Sequence, residues 1–201
     1  ICRSIFGFLK PDTGEIEIFN KLKVIESPSV AVKNRIGYIP KERRYEGIVL
    51  FLPVSSNITL ANIKKIIKNY IINFKLEKII SNEWIQKLKI KTPGISTLCL
   101  NLSGGNQQKV VLSKWMNANS KIIILDHPTR GLDVGAKEEV YELIRSMSKS
   151  GIGIILTSDT LEETIGLSHN IIVMRDGEIK KTIKSYPNEK PNQVDLIKYM
   201  V

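Results

Sequence analysis

From Arg35 onward the chain alternates between short apolar runs and stretches with helical spacing. Arg35-Ile36-Gly37-Tyr38-Ile39, stopped at Pro40, reads as one strand; Ile122 to Leu125 and Ile152 to Thr157 are short apolar runs. Runs this short that are apolar throughout predict strands covered on both faces, as in a parallel sheet. Between them the spacing becomes helical. Ser103 reads as the N-cap of a helix reaching about Ala118, Gly135 to Lys149 as a helix stopped by Gly151, and Leu161 to Leu167 as a short helix. Near the start, a short helical segment ends near Leu9 and Pro11-Asp12-Thr13-Gly14 forms a turn. After it Glu15-Ile16-Glu17-Ile18-Phe19 alternates like a half-buried strand. Near the end, Ile171 to Met174 and Ile179 to Ile183 predict strands joined by a hairpin turn at Arg175-Asp176-Gly177. From about Ser55 to Leu98, Ile, Leu and Trp recur at helical spacing among Lys and Asn, with Pro93-Gly94 as a late breaker. The predicted fold class is therefore α/β with a mainly parallel sheet. We expect a single domain over residues 1–201, with a helical subdomain over 45–101.

Composition narrows this picture. The chain has 201 residues, 42% of them hydrophobic, enough for a real core and too many for disorder. It opens on Ile1-Cys2-Arg3-Ser4-Ile5-Phe6, which reads as the middle of an amphipathic helix, so a fragment is expected. Lys and Arg total 30 against 20 Asp and Glu, a formal charge of +10. Such a balance suits nucleic acid or an anionic membrane surface. Much of it is scattered Lys within Ile- and Asn-rich stretches such as Asn62 to Asn69, which a compositional bias also explains. Cys2 and Cys99 make neither a disulfide framework nor a metal spacing, which suits a reducing compartment. No apolar run approaches the ~20 residues of a membrane helix, and no secretory signal opens the chain. A role at a membrane would go through a partner. His169 is expected at the surface, Trp84 and Trp115 in the core, and Glu138 and Glu139 on a solvated helix face.

Two stretches carry chemistry. In Leu102-Ser103-Gly104-Gly105-Asn106-Gln107-Gln108-Lys109, two glycines and a hydroxyl stand at a helix start. There, unpaired amides and the positive end of the helix dipole favour phosphate. An ordinary capped helix can carry the same residues, and this stretch alone leaves both readings open. Ile122 to Asp126 is an apolar strand ending in a carboxylate, at the edge where α/β sheets bind ligands, and so a candidate Mg²⁺ ligand. His127-Pro128-Thr129-Arg130-Gly131-Leu132-Asp133 follows and sets a second acid.

Together, in this order and one helix apart, these stretches resemble the ABC ATPase family. Leu102-Ser103-Gly104-Gly105 matches its signature motif, Ile122 to Asp126 its Walker B strand, and Gly131-Leu132-Asp133 its D-loop. Asn106 to Lys109 and Pro128 to Lys137 look like the second half of the duplicated ATPases of monosaccharide importers. Tyr38-Ile39-Pro40 with Glu46 to Leu50 is similar to that group's Q-loop region, and Gly166 to Gly177 to its closing segment. The resemblance covers nearly the whole chain. It implies a P-loop NTPase-like core with a helical subdomain, ATP and Mg²⁺ as cofactors, and Asp126 as the metal ligand. It also implies that Ser103, Gly104, Gly105, Asn106 and Gln107 serve, with D-loop Asp133, a nucleotide held by another ATPase half or a second ATPase chain. The further partners implied are transmembrane permease subunits and, indirectly, an external sugar-binding protein, at the cytoplasmic face of a bacterial plasma membrane. No nucleic acid is expected.

The chain departs from the family's pattern in four places. The Walker A loop should lie upstream of Ile1, and no Gly-x-x-x-x-Gly-Lys-Ser/Thr string occurs later. The central strand feeding that loop is expected to be missing with it, which predicts poor stability and no ATPase activity for the isolated chain. His127 stands where the family has a catalytic Glu, and an imidazole accepts a proton only conditionally near neutrality. Ser158 stands at the switch His position, as it often does in second halves of sugar ATPases. Lys41, or Glu42 in a slipped register, stands at the Q-loop Gln. These departures lead us to expect a degenerate site in this half. Three other readings stay open: a non-catalytic relic or regulatory module, an ABC ATPase acting on nucleic acid or ribosomes, and nucleosides in place of sugars.

Overall fold

A computed structural model describes residues 1–186 and 188–201, and by internal packing the chain divides into two compact units, Ile1–Ile155 and Leu156–Val201.

The first unit opens with α1 (Cys2–Ile5), whose following Phe6 is buried against Tyr38 and Trp115, with ring centroids 5.2 and 5.6 Å away. β1 (Ile16–Ile18) and β2 (Lys21–Lys23) form an antiparallel hairpin whose turn residues Phe19 and Asn20 both take positive φ. That is the turn geometry that matches strand twist. α2 (Pro28–Lys33) was not apparent from the spacing; Ser27 caps it by accepting from the Val30 amide, with Pro28 in the first turn.

The sheet is built from β3 (Ile36–Ile39), β6 (Ile122–Asp126) and β7 (Gly153–Thr157), in the order β3-β6-β7. β3 pairs parallel to β6, Ile36 opposite Ile122 through Ile39 opposite Leu125. All of β3 and the middle of β6 are buried, as their unbroken apolar runs require. Against this sheet lies α5 (Gly104–Asn117), with Val110, Val111 and Leu112 in the core. α6 (Val134–Lys149) buries Val140, Ile144 and Met147, the i, i+4, i+7 stripe of an amphipathic helix.

Between β3 and α5 the chain is largely helical. α3 (Val54–Thr59) runs into a tight 3₁₀ segment, Leu60–Ile66, and α4 (Phe74–Lys87) starts at Asn73, whose side chain caps the Leu76 amide. Between them is an unexpected two-stranded hairpin, β4 (Ile67–Lys68) with β5 (Ile71–Ile72). Ile67 and Ile71 stand four apart, a helical spacing, so periodicity concealed it. Trp115 is buried as expected. Trp84 is half-buried, and its indole N–H donates to Asn117 Oδ1 at 3.3 Å.

The second unit contains α7 (Leu161–Leu167), the antiparallel pair β8 (Asn170–Arg175) and β9 (Glu178–Lys184), and α8 (Gln193–Ile197). Asp176 and Gly177 take positive φ in the β8–β9 turn that their sequence predicted. Ile171, Val173 and Leu196 form its core, with Leu161, Ile165 and Ile183 packed on it. His169 is exposed. No described helix is long and apolar enough to cross a membrane.

Candidate nucleotide-binding site

Ser103 is the N-cap of α5 and is exposed, and its side chain does not cap the helix. Instead its Oγ accepts from Asn106 Nδ2 at 2.9 Å, and Asn106 Oδ1 accepts from the Lys91 amide at 2.8 Å. The first-turn amides of α5 are therefore not taken by their own cap, and with the helix dipole they favour an anion. Gln107 faces the other way: it is buried, donating to the carbonyls of Cys99 and Leu102 at 3.1 and 3.2 Å. Its side chain braces the approach to the helix, whereas Ser103 meets solvent.

The two glycines answer to close neighbours. A Cβ on Gly104 would lie 2.6 Å from Arg43 Nη2, and one on Gly105 would lie 2.8 Å from the Ala136 Cβ. Arg43 was not apparent as a site residue in a run of charges. It opens the turn Arg43–Gly47 that follows Lys41, and its Nη1 donates to the Arg130 carbonyl at 2.8 Å. Arg130 replies with a 2.7 Å ion pair to Glu42. The turn after β3, the loop after β6 and the start of α5 thus meet at one guanidinium. Its Nε is buried and has no acceptor among the described residues. Burial, and then Arg44 beside it, lower its pKa.

Asp126 ends β6. Its Oδ2 accepts from the Tyr38 hydroxyl at 2.6 Å, and its Oδ1 lies 3.6 Å from His127 Nε2. The register explains the first contact, since Tyr38 stands opposite Ile124 and Asp126 points to the same face two residues on. Burial first, then the Asp126 bond, push the Tyr38 phenol up, so it stays a donor. His127 takes a positive φ of 50°, unusual for a non-glycine residue, at the turn out of β6. Asp133 exposes its carboxylate as the N-cap of α6, accepting from the Ala136 amide at 2.8 Å.

Magnesium favours oxygen ligands and usually keeps water and phosphate around it. Among the described residues no group of three or more His, Cys, Asp or Glu could hold a metal. A single carboxylate at Asp126 fits an ion held mainly by phosphate and water. Ser158 belongs to the second unit, where its hydroxyl donates to the buried Glu163 and accepts from the Thr160 amide at 3.1 Å. Thr160 caps α7. Ser158 is thus part of a helix start, not a free hydroxyl.

Glu139 is not simply solvated, as the sequence suggested. It forms a 2.7 Å ion pair with Lys109, whose ammonium is buried on α5 and also donates to the Lys89 carbonyl at 3.0 Å. Glu138 is exposed.

A parallel α/β sheet with a helix that opens on two glycines beside a strand-end acid defines a nucleotide-binding cassette fold. Solved cassettes agree. A nucleotide-free ATP-binding cassette from an ABC transporter superposes with a TM-score of 0.76 at 19% identity, covering 92% of this chain and 75% of that one. A dimeric cassette in a post-hydrolysis state with ADP and Pi gives 0.74 at 21% identity, covering 92% and 79%. Residues 1–130 match the ABC transporter family, and the chain belongs to that family. Among curated relatives, a ribose import ATP-binding protein of Caldanaerobacter subterraneus subsp. tengcongensis is 46% identical, over 89% of this chain and 36% of that protein. The protein of the same name from Clostridium tetani is 39% identical, over 100% and 39%. The chain thus spans little more than a third of the length of these relatives.

Proposed function

We propose that this chain is part of the ATP-binding subunit of an ABC importer for sugars, coupling ATP binding and hydrolysis to transport. The names of the relatives support the sugar class. The observation that carries the reading is the exposed, uncapped start of α5 at Ser103, bounded by Arg43 and by the loop after Asp126. The nucleotide supplies the phosphoryl group that is transferred to water. This chain's contribution is positioning and charge. Ser103 and the amides of Gly104 and Gly105 present preorganised donors to phosphate held by a second ATPase half. Asp126, oriented by Tyr38, offers a carboxylate to the magnesium of its own half, and Lys41 stands at the Q-loop place of that half.

That own site is degenerate in this reading. His127 replaces a permanently charged acceptor, and Ser158 is engaged with Glu163. The complete protein then has one working ATP site and one poor one, and sits against permease subunits on the cytoplasmic face of a plasma membrane. An ATPase assay on the complete protein tests this. Ser103→Arg should lower turnover by about 10²-fold or more, as expected when transition-state donors are blocked. His127→Ala should leave most of it. The reverse pattern would overturn the asymmetry.

A further inference from the structure

The β4–β5 hairpin and its flanks expose apolar side chains beside lysines, as the β1–β2 hairpin does with Phe19, Leu22 and Val24, but here no acid such as Glu15 or Glu17 accompanies them. All four strand residues are exposed: Ile67, Lys68, Ile71 and Ile72. Tyr70 at the tip is fully exposed, and Ile71 and Phe74 are each 71% exposed. Tyr70 holds a φ of 65°, beside Asn69 at 50°. A two-residue hairpin turn of type I′ needs both values positive and normally places glycine second. A large aromatic kept at that strained position is one whose exposure needs a reason.

Charge supplies the reason. From Leu60 to Leu76 the sequence has Lys64, Lys65, Lys68 and Lys75 and no acidic residue. Lys65 donates to Asn117 Oδ1 at 3.5 Å, whereas Lys64, Lys68 and Lys75 are exposed and form no ion pair among the described residues. A compositional bias explains why lysine and isoleucine are frequent here. It does not explain why Ile66 is buried while Ile67, Tyr70, Ile71 and Phe74 all face out.

We propose that this hairpin docks on an anionic lipid surface. Aromatic and aliphatic side chains entering the headgroup region, flanked by lysines that stay with the phosphates, make the usual interfacial arrangement. The hairpin is a thin ridge carrying charge of one sign, with no acid to pair with a basic partner residue. That suits a diffuse negative surface better than a protein partner of fixed geometry. The inference goes beyond the transport reading and does not depend on which solute is carried.

Flotation of the complete protein with vesicles tests it. Phosphatidylglycerol–phosphatidylcholine vesicles should bind it at least about tenfold more strongly than phosphatidylcholine alone, and added salt should abolish the difference. Lys64→Glu with Lys68→Glu should bring binding to the phosphatidylcholine level. Tyr70→Ser with Phe74→Ser should weaken it several-fold at unchanged charge. Both pairs should keep wild-type basal ATPase activity, which separates failure here from failure of the transport reading. Lys21→Glu with Lys149→Glu, an equal change of charge elsewhere, should retain most of the binding. An equal loss from that control pair overturns the proposal, as does undiminished binding by either hairpin pair. Loss of permease assembly in lipid-free detergent by the hairpin variants also overturns it, and assigns the ridge to a protein contact.

Discussion

Lys114 lies on α5 with its ammonium in the core, donating to the Gly47 carbonyl at 2.6 Å and standing 5.0 Å from the centre of the Trp115 ring. Burial pushes its pKa down from 10.5 to about 8. The unfolded chain therefore holds this proton more firmly than the folded one. Below about pH 8 both states are protonated and the folded state bears the full desolvation cost, on the order of 3 kcal/mol. As pH rises through the window between the folded and unfolded values, the folded state gives up the proton first and that cost is relieved. Cys99 acts in the opposite sense, its thiol raised by burial to about 11, so its contribution falls as pH climbs above 9. The difference between two proteins isolates the lysine. Denaturant midpoints of wild type and Lys114→Met, followed from pH 7 to above 10, should show wild type gaining on the variant as pH rises. A constant difference would show that Lys114 titrates normally. At neutral pH the Gly47 carbonyl loses its donor in the variant, so the two effects oppose, and the slope rather than the offset is diagnostic.

At the scale of elements, the contact between α5 and α6 sets where Ser103 stands. Gly105 meets Ala136 so closely that an added methyl would stand 2.8 Å from the alanine Cβ. Real Cβ atoms do not approach so closely, so Gly105→Ala must push the two helices apart. The expected cost is about 1–3 kcal/mol, as for other overpacked contacts, and Ala136→Gly in the same chain should recover most of it. Thermal melts of the two single variants and the double check this, and additive losses would mean that the helices do not meet as described. This contact was not legible in the sequence, although both motifs were. The apolar runs of β3 and β6 and the helices α5 and α6 follow from periodicity, because each buries a continuous stripe, whereas β7 and the apolar side chains of α7 are only half-buried. α2 is six residues long and α8 five, too short for periodicity to register, and each depends on a single capping side chain at Ser27 or Asn192. The site shows the same division. Ser103, Asp126 and Asp133 announce themselves by their places at element ends. Arg43 and Tyr38 become significant only through pairings across 87 and 88 residues of chain, which no local pattern encodes.

The whole molecule is uneven in what holds it together. The first unit packs a three-stranded sheet against α5, with Ile36, Ile39, Ile123, Ile124 and Leu125 fully buried. Among its described residues, the second rests on three buried apolar side chains and a hairpin with a register shift at Val173/Met174. Regions with fewer buried apolar contacts open more readily. Native-state hydrogen exchange should therefore find β3 and β6 amides protected up to the global unfolding limit, and those of β8, β9 and α8 exchanging at lower cost. Uniform protection over both units would contradict this.

The bond from Tyr38 to Asp126 also bears on how the chain can change over time. Every residue of α3, the hairpin, α4 and α5 lies inside the loop that this pairing closes. The entropy of closing a loop grows only with the logarithm of its length, about 0.6 kcal/mol for each doubling. Residues can be gained or lost between Ile39 and Ile122 with little thermodynamic penalty at the strand pair. The segment bearing the exposed hairpin is thus free to diversify, while the two strands that fix Asp126 stay in register.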